Sequence, residues 1–275
     1  MGEVLFAERL MLRARAKRRM RNLITTTFIL LLLTLSVSAF AQEAPRIVHV
    51  FVALCDNKYQ GIVPVPERLG NGDDPQNNLY WGAMYGVKSF LSRSPHWKLL
   101  TTIPAPAPVQ KESRWSWLPG FKQSGHPVLE RVIFRHTREN VYLVADAYQG
   151  RQIKQTVIDF LNAASGTSGE SISSPTDGQT RSLHIHGGSD LLVYVGHDGL
   201  MDFRLKTYPQ KQDEKLREVM ILACISREYF HEPIVLAGAK PLLWTTGLMA
   251  PEAYTLESAV EGWILRENEA SIHLR

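Results

Sequence analysis

Two apolar segments of the chain each stop at a side chain that can take part in nucleophilic catalysis. The run over residues 190–196 stops at His197, and the run over residues 219–223 stops at Cys224. Both runs have the length and the Val, Ile and Leu content of buried parallel strands. Open α/β sheets bind ligands at the carboxyl edge of their strands, so we expect both side chains at one binding edge. An imidazole and a thiol placed there are the base and the nucleophile of a cysteine-dependent enzyme.

The residues around His197 and Cys224 predict how the thiol is activated. A cysteine attacks as the thiolate, and His197 can take its proton if the two strands are neighbours, about 4.8 Å apart. A helix that begins near Ser226 also favours the thiolate, because unpaired N–H groups of a first helical turn attract an anion. Gly199 lets the backbone approach a substrate carbonyl, and its N–H is expected to hold the oxyanion. Asp198 either orients the His197 ring or is simply solvated.

Strands alternate with helices along the rest of the chain, which predicts a three-layer α/β/α fold around a mostly parallel sheet. Two loop excursions are expected near residues 104–127 and 165–190, and the second is rich in Ser, Gly and Thr, as in flexible linkers. The predicted strands are 47–54, 97–103, 132–135, 141–147, 190–196, 219–223 and 241–246, and the predicted helices are 75–91, 152–164, 211–217, 226–232 and 251–267.

Residues 1–41 have the pattern of a secretory signal peptide. A basic region over residues 13–21 precedes an uncharged apolar run over residues 23–37 and the small-x-small site Ala39-Phe40-Ala41. A membrane anchor is the competing interpretation, because the run approaches the roughly 20 residues of a membrane span. The cleavage site favours a removed leader, with Met20 as an alternative start. We therefore expect export by the general secretory route to the periplasm or the medium, with no membrane attachment after cleavage.

The basic charge of the chain belongs to this leader. It holds seven of the 31 basic and two of the 27 acidic residues, so residues 42–275 carry 24 basic and 25 acidic residues, a net charge of −1. No nucleic-acid partner is therefore expected. The remaining 234 residues fit one α/β domain with a sizeable core.

The two strand ends resemble the caspase–legumain–gingipain–clostripain clan of cysteine peptidases, in which one apolar strand ends in His-Gly and the next in the catalytic Cys. The segment from Cys224 to Phe230 is similar to the legumain-type Cys-x-Ser-x-x-x-Phe. The resemblance implies a caspase-like fold of flavodoxin-like strand order, with the first strand beside the His197 strand. It also implies His197 as proton shuttle and Cys224 as nucleophile. The chain departs from the pattern in two ways: Asp198 separates His197 from Gly199, and the 27-residue step from His197 to Cys224 is short for the clan.

Cys55 offers a different role for Cys224, since two cysteines in an exported protein first suggest a disulfide. The strand order that the resemblance implies places the His197 strand between them. Their strand ends would then lie roughly 9–10 Å apart, beyond the Cα separation of about 7 Å that a disulfide tolerates. Without that order, the bridge is the better account of both cysteines.

Asp56 and Asn57 follow the first strand at the same edge and are candidates for a substrate pocket, in which Asp56 would suit a basic substrate side chain. Loop capping is the competing interpretation for both. His184 and His186 lie on one side of an extended segment and could bind a metal. No neighbouring Asp, Glu or Cys completes a ligand set, so neither a metal nor another cofactor is expected.

These observations predict an exported cysteine endopeptidase that acts on a peptide or protein substrate. One alternative is a non-catalytic caspase-like binding module whose cysteines are inert or bridged. Another is a different hydrolase or a flavodoxin-like ligand-binding domain in which the match to the clan is fortuitous. The relative position of Cys224 and His197 discriminates between them.

Overall fold

The computed structural model describes residues 15, 17–22, 44–104, 127–176 and 179–275. The chain divides into two compact units, Met1–Ala44 and Pro45–Arg275. In the first unit, residues 17–22 are helical. None of the described helices is long and apolar enough to cross a membrane. The second unit is a mixed α/β fold.

The described residues form nine strands, arranged in one large and one small sheet. The seven-stranded sheet has the order β2-β3-β4-β1-β7-β8-β9, and β5 and β6 form a separate hairpin. Strands β4, β1, β7, β8 and β9 are parallel neighbours, whereas β3 runs antiparallel to both β2 and β4. The strands are β1 Arg46–Ala53, β2 Trp97–Pro104, β3 Val128–His136, β4 Val141–Tyr148, β5 Gly169–Thr176, β6 Gln179–His186, β7 Leu191–Val195, β8 Glu218–Leu222 and β9 Lys240–Trp244.

Helices cover both faces of the large sheet. Alternate residues of β1 point to opposite sides, so Val50 joins one core cluster and Phe51 the other. On the Val50 side α1 and α4 complete the core, and on the Phe51 side α2 and α3 do so. The helices are α1 Val87–Leu91, α2 Ile153–Ser165, α3 Ser226–Ala237, α4 Ala253–Ile264 and α5 Glu269–His273, with short 3-10 turns at Gly150–Gln152 and Gly199–Met201. The predicted mixed α/β fold with a mostly parallel sheet is confirmed.

The predicted helix over residues 75–91 is wrong except for its last five residues. Residues 75–86 form successive turns organised by the buried Asn78. The Asn78 side chain accepts the N–H of Cys55 (3.0 Å) and donates to the Cys55 carbonyl (2.8 Å), while its backbone carbonyl accepts the N–H of Gly82 (3.1 Å). The two side-chain bonds hold Asn78 against the end of β1, whereas the bond from Gly82 has helical spacing but is not continued, because Gly82 and Gly86 weaken a helix. The segment is thereby tied to the end of β1.

The predicted flexible linker over residues 165–190 is also wrong, because most of it is the β5–β6 hairpin. Leu183 and Ile185 alternate along β6 and are fully buried against side chains of β1, β3 and β4. Two apolar anchors are enough to order a segment whose other residues are polar. The predicted helix over residues 211–217 is irregular chain. The loop excursion near 104–127 lies, from 105 to 126, outside the described residues.

Candidate active site

The carboxyl edge of the large sheet brings the ends of β7 and β8 together. The two strands are parallel neighbours, and Val195 pairs with Leu222. The ladder continues for one more hydrogen bond, from the Gly196 N–H to the Leu222 carbonyl (3.2 Å). His197 and Cys224 each lie two residues beyond the paired Val195 and Leu222. They therefore occupy equivalent positions at the ends of adjacent strands, as the sequence predicts.

His197 is bound to a carboxylate that the sequence analysis missed. Its ring is almost buried, and Nε2 lies 2.8 Å from Oδ2 of Asp202. A carboxylate accepts, so Nε2 carries the proton and Nδ1 of the neutral ring keeps its lone pair. The 3-10 turn after His197 folds the chain back and brings Asp202 within reach. The same Asp202 oxygen accepts the N–H of Gly61 (3.0 Å), which fixes the carboxylate.

Cys224 is half-buried, and its sulfur contacts the loop between β9 and α4. The Sγ atom lies 3.4 Å from the carbonyl oxygen of Met249 and 3.4 Å from the Met249 nitrogen, so it both donates and accepts there. No hydrogen bond among the described residues joins Cys224 to His197. Catalytic contacts are often loose before substrate binds. The structure therefore brings the two residues to one edge without closing a Cys–His contact.

The backbone N–H of Gly199, the expected oxyanion donor, is directed at a side chain. The buried Tyr194 hydroxyl donates to the His197 carbonyl (2.8 Å), and the nearby Gly199 N–H partly offsets the rise that burial causes in the pKa of Tyr194. In contrast, the N–H groups of Asp198 and Cys224 have no acceptor within the described part of the chain. These two groups, one beside each reactive side chain, are the available donors for an oxyanion.

The first turn of α3 is less able to stabilise a thiolate than the sequence predicts. The Ser226 N–H lies 3.3 Å from Thr245 Oγ1, and the Arg227 N–H donates to the Thr245 carbonyl (3.0 Å). Two of the N–H groups that would face an anion are therefore already used. Ile225, with φ of 47°, turns the chain between Cys224 and the helix.

Asp198 is a buried carboxyl with one unused oxygen. Oδ1 accepts the Leu200 N–H (3.0 Å) and caps the 3-10 turn, whereas Oδ2 is buried with no partner in the described residues. Burial raises the pKa of Asp198 to about 7, and the negative charge of Asp202 adds to the rise. The side chain therefore holds the turn after His197 and is not solvated. It makes no contact with the His197 ring among the described hydrogen bonds.

Cys55 and Cys224 are both free thiols. Strand β7 separates their strands, in the order β1-β7-β8, so the geometric objection to a disulfide is confirmed. Cys55 is fully buried, and burial raises the pKa of its thiol to about 11 despite a hydrogen bond with the Tyr80 hydroxyl. Cys55 is therefore an unreactive core residue at neutral pH.

Asp56 and Asn57 stabilise the loop that follows β1. Asp56 is 5% exposed, and its Oδ1 accepts the N–H groups of Lys58 (2.9 Å) and Tyr59 (3.2 Å). The Asn57 amide bridges both backbone groups of Val65, at 3.0 Å and 2.8 Å. The structure places both residues at the expected edge, with their side chains engaged by backbone rather than directed to an open pocket.

A first histidine–carboxylate cluster has the spacing of a metal site but not the free lone pairs. In His49, Asp146 and His186 the ligand atoms lie within 4.8 Å of one another. His49 Nδ1 accepts the His186 N–H (3.2 Å), so Nε2 carries the proton that faces Asp146 (3.0 Å). Arg131 also binds Asp146 with two hydrogen bonds, 2.6 Å and 2.8 Å long. Neither a lone pair of His49 nor an uncompensated carboxylate remains for a cation.

The second cluster, His96, His136 and Glu261, has the same limitation. His136 Nδ1 accepts the Glu139 N–H (2.9 Å), so the proton is on Nε2, which lies 3.2 Å from Glu261. A protonated nitrogen cannot ligate a metal. His184, the other predicted candidate, is exposed on the hairpin and contacts Ser171 (2.9 Å), apart from the half-buried His186.

Comparison with protein-family models, with curated proteins and with solved structures gives no significant match. The geometry of the carboxyl edge is therefore the basis for assigning a function. Three features carry chemistry there: the His197–Asp202 pair, the half-buried Cys224 thiol, and the unpartnered N–H groups beside them.

Proposed function

We propose that this protein is an exported cysteine endopeptidase of caspase-like fold, with Cys224 as nucleophile, His197 as acid and base, and Asp202 as the group that orients His197. The single observation that supports it most is the equivalent position of His197 and Cys224 at the ends of adjacent parallel strands. A nucleophile and its base must come within hydrogen-bond reach of each other, and neighbouring strand ends are where this can happen. The substrate is a peptide or protein segment, and the reaction uses no cofactor.

The reaction is an acyl transfer. His197 Nδ1 takes the Cys224 proton, and the sulfur attacks the substrate carbonyl carbon to form an S–C bond. The N–H groups of Asp198 and Cys224 hold the resulting oxyanion, and Asp202 stabilises the imidazolium. When the C–N bond breaks, the imidazolium gives its proton to the leaving amine. Water then attacks the thioester with His197 as base, which releases the acid and restores the thiol.

The Cys224 side chain must rotate before it can react. In the structure its sulfur is held by the Met249 backbone at 3.4 Å on both sides. Hydrogen bonds to sulfur are weak, so a rotation about the Cα–Cβ bond costs little. Substrate that displaces the loop between β9 and α4 would free the thiol for His197.

The strand order supports a caspase-like, three-layer fold. The first strand lies beside the His197 strand, and the Cys224 strand follows on the far side, which is the arrangement that the resemblance implies. The antiparallel β3 and the outer β2 extend the sheet beyond β4. The signal-peptide pattern of residues 1–41 supports export to the periplasm or the medium, where residues 42–275 act without a membrane anchor.

The activated thiol is tested by alkylation of the purified protein with iodoacetamide, with mass spectrometry to locate the label. Wild type should react at Cys224, and His197→Ala should slow this reaction at least ~10-fold, because the thiolate loses its partner. Asp202→Asn should give an intermediate rate, since the ring loses its orientation but not its base. Cys224→Ala is the unlabelled control, because Cys55 is buried.

A non-catalytic binding module is the second candidate, and the contact between Cys224 and Met249 favours it. In that case the thiol stabilises the loop between β9 and α4. Equal alkylation rates for wild type, His197→Ala and Asp202→Asn would contradict the peptidase and favour this candidate.

A further inference from the structure

Large apolar side chains are exposed around the His197–Cys224 pair. Within the described part of residues 45–275, ten large apolar side chains are at least 47% exposed, and six of them lie in segments that follow β1 or β9 at the carboxyl edge. We call these six the apolar rim; they are Tyr59, Val63, Met84, Tyr85, Leu248 and Tyr254. The other four lie elsewhere, so the exposed apolar surface is concentrated at the edge that carries the candidate active site.

One side of the rim adjoins His197. Tyr59 and Val63 are each two residues from Gly61, whose N–H donates to Asp202 (3.0 Å), the partner of His197. Two residues span at most about 7 Å. The Val63 side chain is 87% exposed, so packing within the described fold does not account for an apolar residue there. Both residues therefore belong to the loop that adjoins the His197–Asp202 pair.

The other side adjoins Cys224. Leu248, 80% exposed, directly precedes Met249, which contacts the Cys224 sulfur. Tyr85 and Tyr254 pack edge to face, with ring centroids 6.1 Å apart, and the Tyr85 carbonyl accepts the Ala253 N–H (2.8 Å). Tyr254 follows Met249 by five residues, so its Cα lies within about 18 Å of the Cα of Met249, whose backbone contacts the Cys224 sulfur.

We infer that the apolar rim selects substrates: it binds large apolar side chains of an extended peptide whose backbone passes between His197 and Cys224. This inference rests on the proposed peptidase function. An extended peptide supplies carbonyl groups for the unpartnered N–H groups of Asp198 and Cys224, and alternate side chains for the two apolar sides. Asp56 is engaged by its own loop, so a basic substrate side chain has no comparable partner there.

The rim is divided by a polar row, and this division favours a peptide over a second copy of the chain. His197, Asp202 and the Cys224 thiol lie between the Tyr59 side and the Leu248 side. A flat partner surface would bury the two unpartnered N–H groups without an acceptor, which costs about 1–3 kcal/mol for each group. An extended strand satisfies them.

The test uses internally quenched peptides that differ at one position, with Leu, Phe, Arg or Asp there. Wild type should cleave the Leu and Phe peptides best. Leu248→Ser and Tyr254→Ser should each lower kcat/KM for these peptides about 10-fold, the usual effect of a lost apolar contact. Leu274→Ser changes a leucine outside the rim that is 89% exposed, against 80% for Leu248, and should have no effect.

Binding separates a failure of this inference from a failure of the peptidase. Fluorescence anisotropy with Cys224→Ala measures binding of the same peptides without cleavage. Cleavage with a preference for Arg or Asp, or with no preference, overturns the inference and leaves the peptidase standing. Apolar-selective binding without cleavage by wild type overturns the peptidase and retains the rim as a peptide site. If wild type cleaves none of the peptides and Cys224→Ala binds none of them, the inference and the peptidase are both overturned.

Discussion

At the scale of single residues, the position of His197 depends on the glycine before it. Gly196 has φ of 147°, a value that L side chains rarely adopt, and a Cβ there would lie 2.9 Å from the Ala53 carbonyl oxygen. The chain leaves β7 at this residue and enters the turn that carries both His197 and Asp202. Gly196 therefore sets the direction in which the imidazole is presented.

Gly196→Ala should destabilise the fold by about 1–3 kcal/mol and slow the alkylation of Cys224. Both effects follow from the displacement of the turn after β7. Urea unfolding and the iodoacetamide rate measure them on the same sample. Gly169→Ala is the matched control, because a Cβ at Gly169 meets no atom within 4 Å. Similar behaviour of the two variants would contradict the importance of Gly196.

Asp202 shows why part of the site escapes a sequence reading. His197 and Cys224 are found because apolar runs end at them, and such runs are visible in the sequence. Asp202 follows His197 by five residues, a spacing that belongs to no regular element. Only the 3-10 turn at Gly199–Met201 and the Gly61 N–H bring its carboxylate to Nε2. In the sequence, the only indication of this partner is an acidic residue in the short loop that follows His197.

At the scale of elements, the β5–β6 hairpin depends on few buried side chains. Leu183 and Ile185 are fully buried against the large sheet, whereas His184 between them is exposed. Arg131 also connects the hairpin to the sheet, since it binds both Glu170 of β5 (2.8 Å) and Asp146 of β4 (2.6 Å). The hairpin is therefore a docked part of the fold.

Ile185→Ala should lower the free energy of unfolding by about 2–4 kcal/mol, because it leaves a cavity between the hairpin and the sheet. His184→Ala, one residue away on the outer face, should change it by less than about 0.5 kcal/mol. Urea denaturation followed by tryptophan fluorescence gives both values. A loss below about 1 kcal/mol for Ile185→Ala would mean that the hairpin is not coupled to the core.

The secondary structure of this hairpin and of the turns at 75–86 could not be predicted from the sequence. The hairpin is rich in Ser and Gly, and the turns contain Asn and Gly among apolar residues, so local propensity is weak in both segments and tertiary contacts decide. Leu183 and Ile185 order the first, and the buried Asn78 orders the second. Strands β1, β7 and β8 are predicted correctly because their burial on both faces makes them almost continuously apolar.

At the scale of the whole molecule, two buried groups give the stability opposite dependences on pH. The pKa of Asp198 is raised by burial to about 7, and the pKa of His186 is lowered by burial, and by His49, to about 4. Between pH ~4 and ~6.5 the folded state binds an extra proton at Asp198, so the contribution of Asp198 to the free energy of unfolding falls as pH rises. Over the same range the unfolded state binds an extra proton at His186, so the contribution of His186 to the free energy of unfolding increases with pH.

Single substitutions at Asp198 and His186 should reveal the two opposite dependences of stability on pH. Relative to wild type, Asp198→Asn should gain stability as pH rises from 4.5 to 7.5, by on the order of 2 kcal/mol. His186→Asn, which tolerates the positive φ of 54° at this position, should gain stability as pH falls over the same range. Urea unfolding at several pH values measures both differences. Differences that do not change with pH would contradict this assignment.

The reactive side chains and their partners belong to parts of the molecule that loosen at different temperatures. His197 and Cys224 follow strands that are buried almost throughout, whereas Asp202 and Met249 lie in surface connections. Local opening begins in such connections long before a central sheet melts. Mild warming should therefore break the contacts of the imidazole with Asp202 and of the sulfur with Met249 while the central sheet stays folded. Cooling should restore these contacts without refolding of the sheet.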